Sequence, residues 1–316
     1  MTGAPVTGPP APIGVVLLSY GAPAGAEDVE RYYTDIRRGR RPTEEQLADL
    51  RARYEAIGGT SPLAARTRAQ AEGVQRALDA AAGVGRYRVW WGAKHSPPFI
   101  EEAVDAAAGA GADEVVAAVL APHYSALSVG EYLERVEEAA ARHGIGVRAV
   151  RSWHLEPGLV EALAARVGST LADLASGEAG PPPHTFFTAH SLPARLIGMG
   201  DPYPEQLQET AAAVAERAGL ARSRWSVAWQ SAARTPEPWL GPDVVEAMEK
   251  VAADGVEAVV VCPAGFTSDH LEILYDLDVV ARGAAERLGL RFARTTSLND
   301  DPALCDTLAR VVMGAG

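Results

Sequence analysis

The segment FFTAHSLPARLIGMGDPYP, residues 186–204, opens as a short buried strand and stops on a polar residue. Phe186, Phe187, Thr188 and Ala189 suit a strand by aromatic and β-branched content, and Pro193 forbids its continuation, so His190 falls at the carboxyl end. In open α/β sheets that edge is where ligands bind. A single histidine there is more often a loop hydrogen-bond partner than a functional group, so its meaning depends on the rest of the chain.

Outward from this segment, short apolar runs alternate with longer amphipathic ones, the pattern of βαβ units and a mainly parallel sheet. Eight strands are expected. Four lie near residues 13–19, 86–91, 114–121 and 147–152, and four near 184–189, 225–230, 258–262 and 291–296. Helices are expected over 43–56, 63–82, 129–142 and 243–253, among others. The Gly- and Pro-rich ASGEAGPPP, residues 175–183, reads as a linker. The fold class is therefore α/β, with a flexible arm over 1–11, one domain over 12–174 and a second over 184–316, whose last helix is free to cross back onto the first.

The halves also resemble each other. GVVLLSYGAP against HTFFTAHSLP sets Tyr20 opposite His190, and VLAPHYSALSVGEY against VVCPAGFTSDHLEI sets Glu131 opposite Glu272. Such a repeat predicts a pseudo-twofold pair of domains with a cleft between their strand ends. Tyr20 and His190 would face each other across it.

A length of 316 residues with 47% hydrophobic and 22% charged content is that of a globular chain with a sizeable core. The net charge of -12 argues against a nucleic-acid partner. Cys262 and Cys305 lie far apart and form neither a disulfide framework nor a four-thiolate site, which fits a cytoplasmic setting. No apolar run reaches the ~18 residues of a membrane span, no signal-peptide pattern opens the chain, and no G-x-G-x-x-G or P-loop follows a strand. No self-complementary apolar face stands out, and a monomer is the default expectation.

GFTSDHLEILYDLD carries Asp269, His270, Glu272, Asp276 and Asp278. Spacings of three and four residues would align Asp269, Glu272 and Asp276 on one helical face, with Ser268 as N-cap, and offer a path for a cation. His190 and Glu272 share a sheet edge. One imidazole and one carboxylate suit a transient divalent iron site, or a base, better than a permanent metal cage. The first half is basic instead: Arg37, Arg38, Arg40 and Arg41, then Arg51, Arg53, Tyr54 and Ser61, with the Gly58–Gly59 backbone as a further donor. Guanidinium groups bind carboxylates bidentately, so a ligand with several carboxylates is expected. Lys94, His95, His123, Tyr124 and Tyr132 fall near the same edge, while His154 and His184 read as structural.

The segments YGAP, ERYYTDIRRGRRP, RYEAIGGTSPL, LAPHYS, AHSLP with GDPYPEQL, WQS with PEPWLGPDV, and SDHLE with LYDLD occur in this order. Together they resemble the ferrochelatase family, and within it the soluble coproporphyrin III ferrochelatases. The resemblance implies two Rossmann-like domains with an interdomain cleft, and insertion of Fe2+ into coproporphyrin III to give coproheme with release of two protons. It implies His190 and Glu272 as metal ligands and proton acceptors, with Asp276 passing the metal inward, and Tyr20 axial to the iron on the opposite face. It also places Arg37, Arg53, Tyr54, Ser61 and Tyr132 around the tetrapyrrole. No permanent cofactor is expected. Some relatives carry a [2Fe-2S] cluster on four cysteines, which two cannot hold. Val280 stands where some relatives carry a further acid, so an outer hydrated Mg2+ site is not expected. The expected partners are the porphyrin, Fe2+ and, transiently, a coproheme-accepting enzyme. Protoporphyrin IX is the alternative substrate; the polar, charged APAGAEDVERYYTDIRRG after the first strand argues against it. A non-catalytic tetrapyrrole carrier is the alternative of another class.

Overall fold

The computed structural model describes residues 11–175, 181–233 and 235–315. Most of the expected arm and of the expected linker lies outside these residues. Eight strands form: β1 (Ile13–Ser19), β2 (Tyr87–Ala93), β3 (Glu114–Val119), β4 (Gly146–Val150), β5 (His184–His190), β6 (Trp225–Gln230), β7 (Ala258–Cys262) and β8 (Arg291–Arg294). They make two four-stranded parallel sheets of the same order, β2-β1-β3-β4 and β6-β5-β7-β8. The topology repeats half for half, as the internal similarity predicts.

Alternation along the central strands sorts side chains into layers. Val15 and Leu17 of β1 point to a core that also takes Phe187 and Ala189 of β5, while Val16, Leu18 and Phe186 face the outer helices. Both faces of each sheet are covered, which is why the strands read as continuous apolar runs. The last helix, Pro302–Gly314, packs on the first-half helix Leu63–Ala82 and on Pro157–Ala175. Leu308 is fully buried there. Gln70 ties the halves further, its amide donating to Ser268 Oγ at 2.9 Å and to the Asn299 carbonyl at 2.8 Å. Among the described residues no helix is long and apolar enough to cross a membrane.

Two local departures from regular helix follow strands of corresponding rank. After β3 the chain forms a wide π-helical turn, Ala126–Gly130, before the helix Glu131–His143. After β7 the helix Leu271–Tyr275 widens into a π-helical turn, Asp276–Ala281. His270, not Ser268, occupies the N-cap position.

Candidate functional site

The carboxyl ends of β1, β3, β5 and β7 open into one cleft of about 350 Å³ between the sheets. Tyr20 enters it from the first half, 41% exposed, on a turn that Gly21 makes at φ 92°. The Tyr32 hydroxyl donates to the Gly21 carbonyl at 3.0 Å and fixes that turn. The Tyr20 ring meets the His95 ring edge-on at 4.7 Å. Although its edge reaches solvent, its place inside the cleft desolvates the hydroxyl and, with the charge of Glu272, raises its pKa.

His190 and Glu272 enter from the second half. His190 Nε2 lies 3.5 Å from Glu272 Oε1, and Nδ1 donates to the Ser191 carbonyl. His270 Nε2 lies 3.5 Å from Glu272 Oε2, its Nδ1 donating to the Ser268 carbonyl at 3.0 Å. The carboxylate is thus bracketed by two imidazoles. Burial works against charge on both partners, yet the Glu272 charge raises His190 to about 9, and His190, then His270, hold Glu272 well below the usual carboxylate range. The pair shares its proton and titrates as a unit. The ordinary imidazole value near ~6.5 does not hold here, because the carboxylate outweighs desolvation.

Asp276 stands one turn behind, bonded by Ser231 Oγ, and burial raises it to about 6. Asp269 departs from the expected acidic face. It precedes the helix and is drawn aside by Ser297 Oγ at 2.8 Å and Asn299 Nδ2 at 2.9 Å. Among the described residues no three His, Cys, Asp or Glu side chains converge on a point that could hold a metal ion.

Three residues outside the expected set build this wall. Gln230 is buried, donates to the Glu272 carbonyl at 3.1 Å and accepts from Thr188 Oγ1 at 2.9 Å. Tyr203 donates to the His190 carbonyl at 3.0 Å. His270 is the third; a polar residue two positions before Glu272 was its signal in the sequence. Gln230 ends a strand at the same edge as His190, a signal of the same kind.

On the opposite wall Lys94, His95 and Tyr132 line the cleft. Tyr132 is 5% exposed. Arg37, Arg53, Tyr54, Ser61 and Asp276 do not line this cavity. Arg38 does, whereas Arg37 stacks on Tyr33 at 5.6 Å and donates to the Arg40 carbonyl. Arg53 pairs with Asp49 and lies over the Tyr275 ring. Tyr54 is a correction in another sense: it packs with Val29 and Leu47, because its helix needs that face for the core. Ser61 Oγ accepts from the Leu63 amide at 3.3 Å. The Gly58 and Gly59 amides are spent on the Glu55 and Tyr54 carbonyls, closing the helix Glu44–Ala56, and are not free donors.

A protein of Anoxybacillus flavithermus named coproporphyrin III ferrochelatase is 46% identical over 303 residues, 95% of each chain. A relative of the same name from Listeria innocua is 40% identical over 305 residues, 96% of this chain and 98% of its own. Among solved structures, SirB from Bacillus subtilis with Fe3+ superposes with a TM-score of 0.55 at 12% identity, over 96% of this chain and 95% of that one. CbiX, described as the terminal enzyme of sirohaem biosynthesis in denitrifying bacteria, gives 0.52 at 15% identity, over 96% and 99%. At such identities these two speak for the fold alone. The ferrochelatase family model matches residues 12–315, and with these relatives it places the chain in the ferrochelatase family.

Proposed function

We propose that this chain inserts Fe2+ into coproporphyrin III, releasing two protons and giving coproheme for haem biosynthesis. One observation carries most of the weight: Glu272 lies between two imidazoles on one wall of the cleft, and Tyr20 with cationic neighbours lines the other. The relatives' shared name, across nearly the full chain, supports the substrate.

The residues act as follows. The tetrapyrrole lies in the cleft with Tyr20 towards one face and His190 and Glu272 towards the other. Tyr132 lines the pocket around it, while Arg37, Arg53 and Ser61 stand outside that cavity, where propionates extending beyond it would reach them, and Tyr54 supports the wall from the core. His190 carries a proton on Nε2 in the metal-free cleft and releases it to solvent as Fe2+ comes between it and Glu272. Its freed lone pair and the Glu272 carboxylate hold the cation weakly, so the metal can leave for the ring nitrogens. As the two N–H bonds break, their protons pass to the His190–Glu272 pair and outward by Asp276, whose pKa near 6 suits a relay. Bending the ring in the cleft would expose the nitrogen lone pairs and bring the substrate partway to the transition state.

The enzyme acts as a cytoplasmic monomer with no resident cofactor and hands coproheme to an acceptor enzyme. Both cysteines are buried and two thiolates cannot hold a [2Fe-2S] cluster. Anaerobic iron insertion into coproporphyrin III and protoporphyrin IX, followed side by side by absorbance, tests the reaction. Rapid coproheme formation with little activity on protoporphyrin is expected. Tight porphyrin binding without metallation would mean a carrier.

A further inference from the structure

The two halves share a strand order, and each places a glutamate in the first turn of the α-helix that follows its third strand: Glu131 in one, Glu272 in the other. Their surroundings differ. Glu272 has two imidazoles; Glu131 has Lys94 Nζ on one oxygen and Arg38 Nη2 at 3.4 Å from the other. One carboxylate is shared by two cations on the cleft wall. Nearby, Arg135 is matched by Glu101 in a bidentate pair at 2.8 Å, and Asp35 is hydrogen-bonded to His95 Nδ1 at 2.6 Å.

The two cations are held differently. Lys94 is fixed: its amide donates to the Ser19 carbonyl, its own carbonyl accepts from Arg135, and its ammonium lies 5.1 Å from the Tyr132 ring centre. Arg38 has its backbone at φ 56°, in the left-handed region, and a side chain 84% exposed that can swing. We propose that Lys94 and Arg38 form a carboxylate subsite on the Tyr20 wall, with Glu131 as an internal occupant that a ligand carboxylate displaces. The site rests on the porphyrin reading and takes one of the substrate's propionates. Glu131 keeps the cations placed and partly neutralised while the cleft is empty.

The test is the dissociation constant for metal-free coproporphyrin III, read by porphyrin fluorescence in wild type, Lys94→Met, Lys94→Arg, Arg38→Ala and Glu131→Gln, each checked for a native melting transition. A lost charged hydrogen bond corresponds to roughly tenfold or more in affinity. Lys94→Met is expected to weaken binding about tenfold and Arg38→Ala less, with partial recovery in Lys94→Arg. Glu131→Gln is expected to tighten it several-fold. An unchanged constant in folded Lys94→Met, or weaker binding in Glu131→Gln, overturns the subsite. Should Lys94→Met not fold, the opposite signs expected of Arg38→Ala and Glu131→Gln decide it. Wild type that neither binds nor metallates coproporphyrin III would instead overturn the function on which the subsite rests.

Discussion

Glu272 keeps one oxygen 3.5 Å from His190 and the other 3.5 Å from His270, so removing its charge changes two imidazoles at once. Glu272→Gln and His190→Ala are expected to retain porphyrin binding, which depends on the whole cleft, and to lose iron insertion by about a hundredfold or more. Porphyrin fluorescence and anaerobic metallation rates separate the two effects, and unchanged insertion would remove both residues from the chemistry. His123 supports a different prediction. It is 2% exposed, its Nε2 2.9 Å from Thr210 Oγ1, and burial, then His154, pushes its pKa down to about 3. The unfolded chain binds that proton near ~6.5 and the folded one does not. Stability contributed by the neutral ring is therefore complete above that value and falls by up to roughly 1.4 kcal/mol per pH unit as pH drops towards the folded value. In urea titrations from pH 7 to pH 4, His123→Gln should show a shallower decline than wild type; parallel declines would contradict it.

At the scale of elements, the spacing between His190 and Glu272 depends on how closely β5 meets the loop after β7. The Gly265 amide donates to the Thr188 carbonyl at 2.9 Å, and a Cβ on Gly265 would come within 2.9 Å of the Ala189 Cα. Backbone, not a flexible side chain, stands in the way. Gly265→Ala is expected to cost roughly 1–3 kcal/mol in urea denaturation and to slow iron insertion by separating the two residues. An alanine variant of wild-type stability and rate would contradict this. The strands themselves were legible in the chain: β1, β6 and β7 begin and end where apolar content does, and most other ends differ by one or two residues. The region after β7 was less so. Three- and four-residue spacing assumes a regular helix from Ser268, whereas the helix begins at Leu271 and widens at Asp276. Asp269 is claimed by Ser297 and Asn299, partners about thirty positions away that no local pattern reveals. The same holds for the first-half arginines, where composition announced a cationic wall but not that Arg38 would line the cavity while Arg37 turned to Tyr33.

For the molecule as a whole, the final helix joins the two halves. Leu308 is fully buried among residues of both halves, so Leu308→Ala is expected to cost about 2–5 kcal/mol. It should lower the stability of both halves together. Near-ultraviolet circular dichroism and activity should then be lost in one transition; separate transitions would mean that the halves unfold independently.

The position of that helix also bears on how the protein is made. The helix Leu63–Ala82 packs on β2 within its own half, but its other apolar partner, Pro302–Gly314, is synthesised only on the order of tens of seconds later at ordinary elongation rates. Until then the nascent first half keeps part of its core face open to chaperones and to other emerging chains. A prematurely terminated product would lack the piece that seals this face, and would go to proteases rather than persist as a half-formed enzyme able to take up free iron or photoreactive porphyrin.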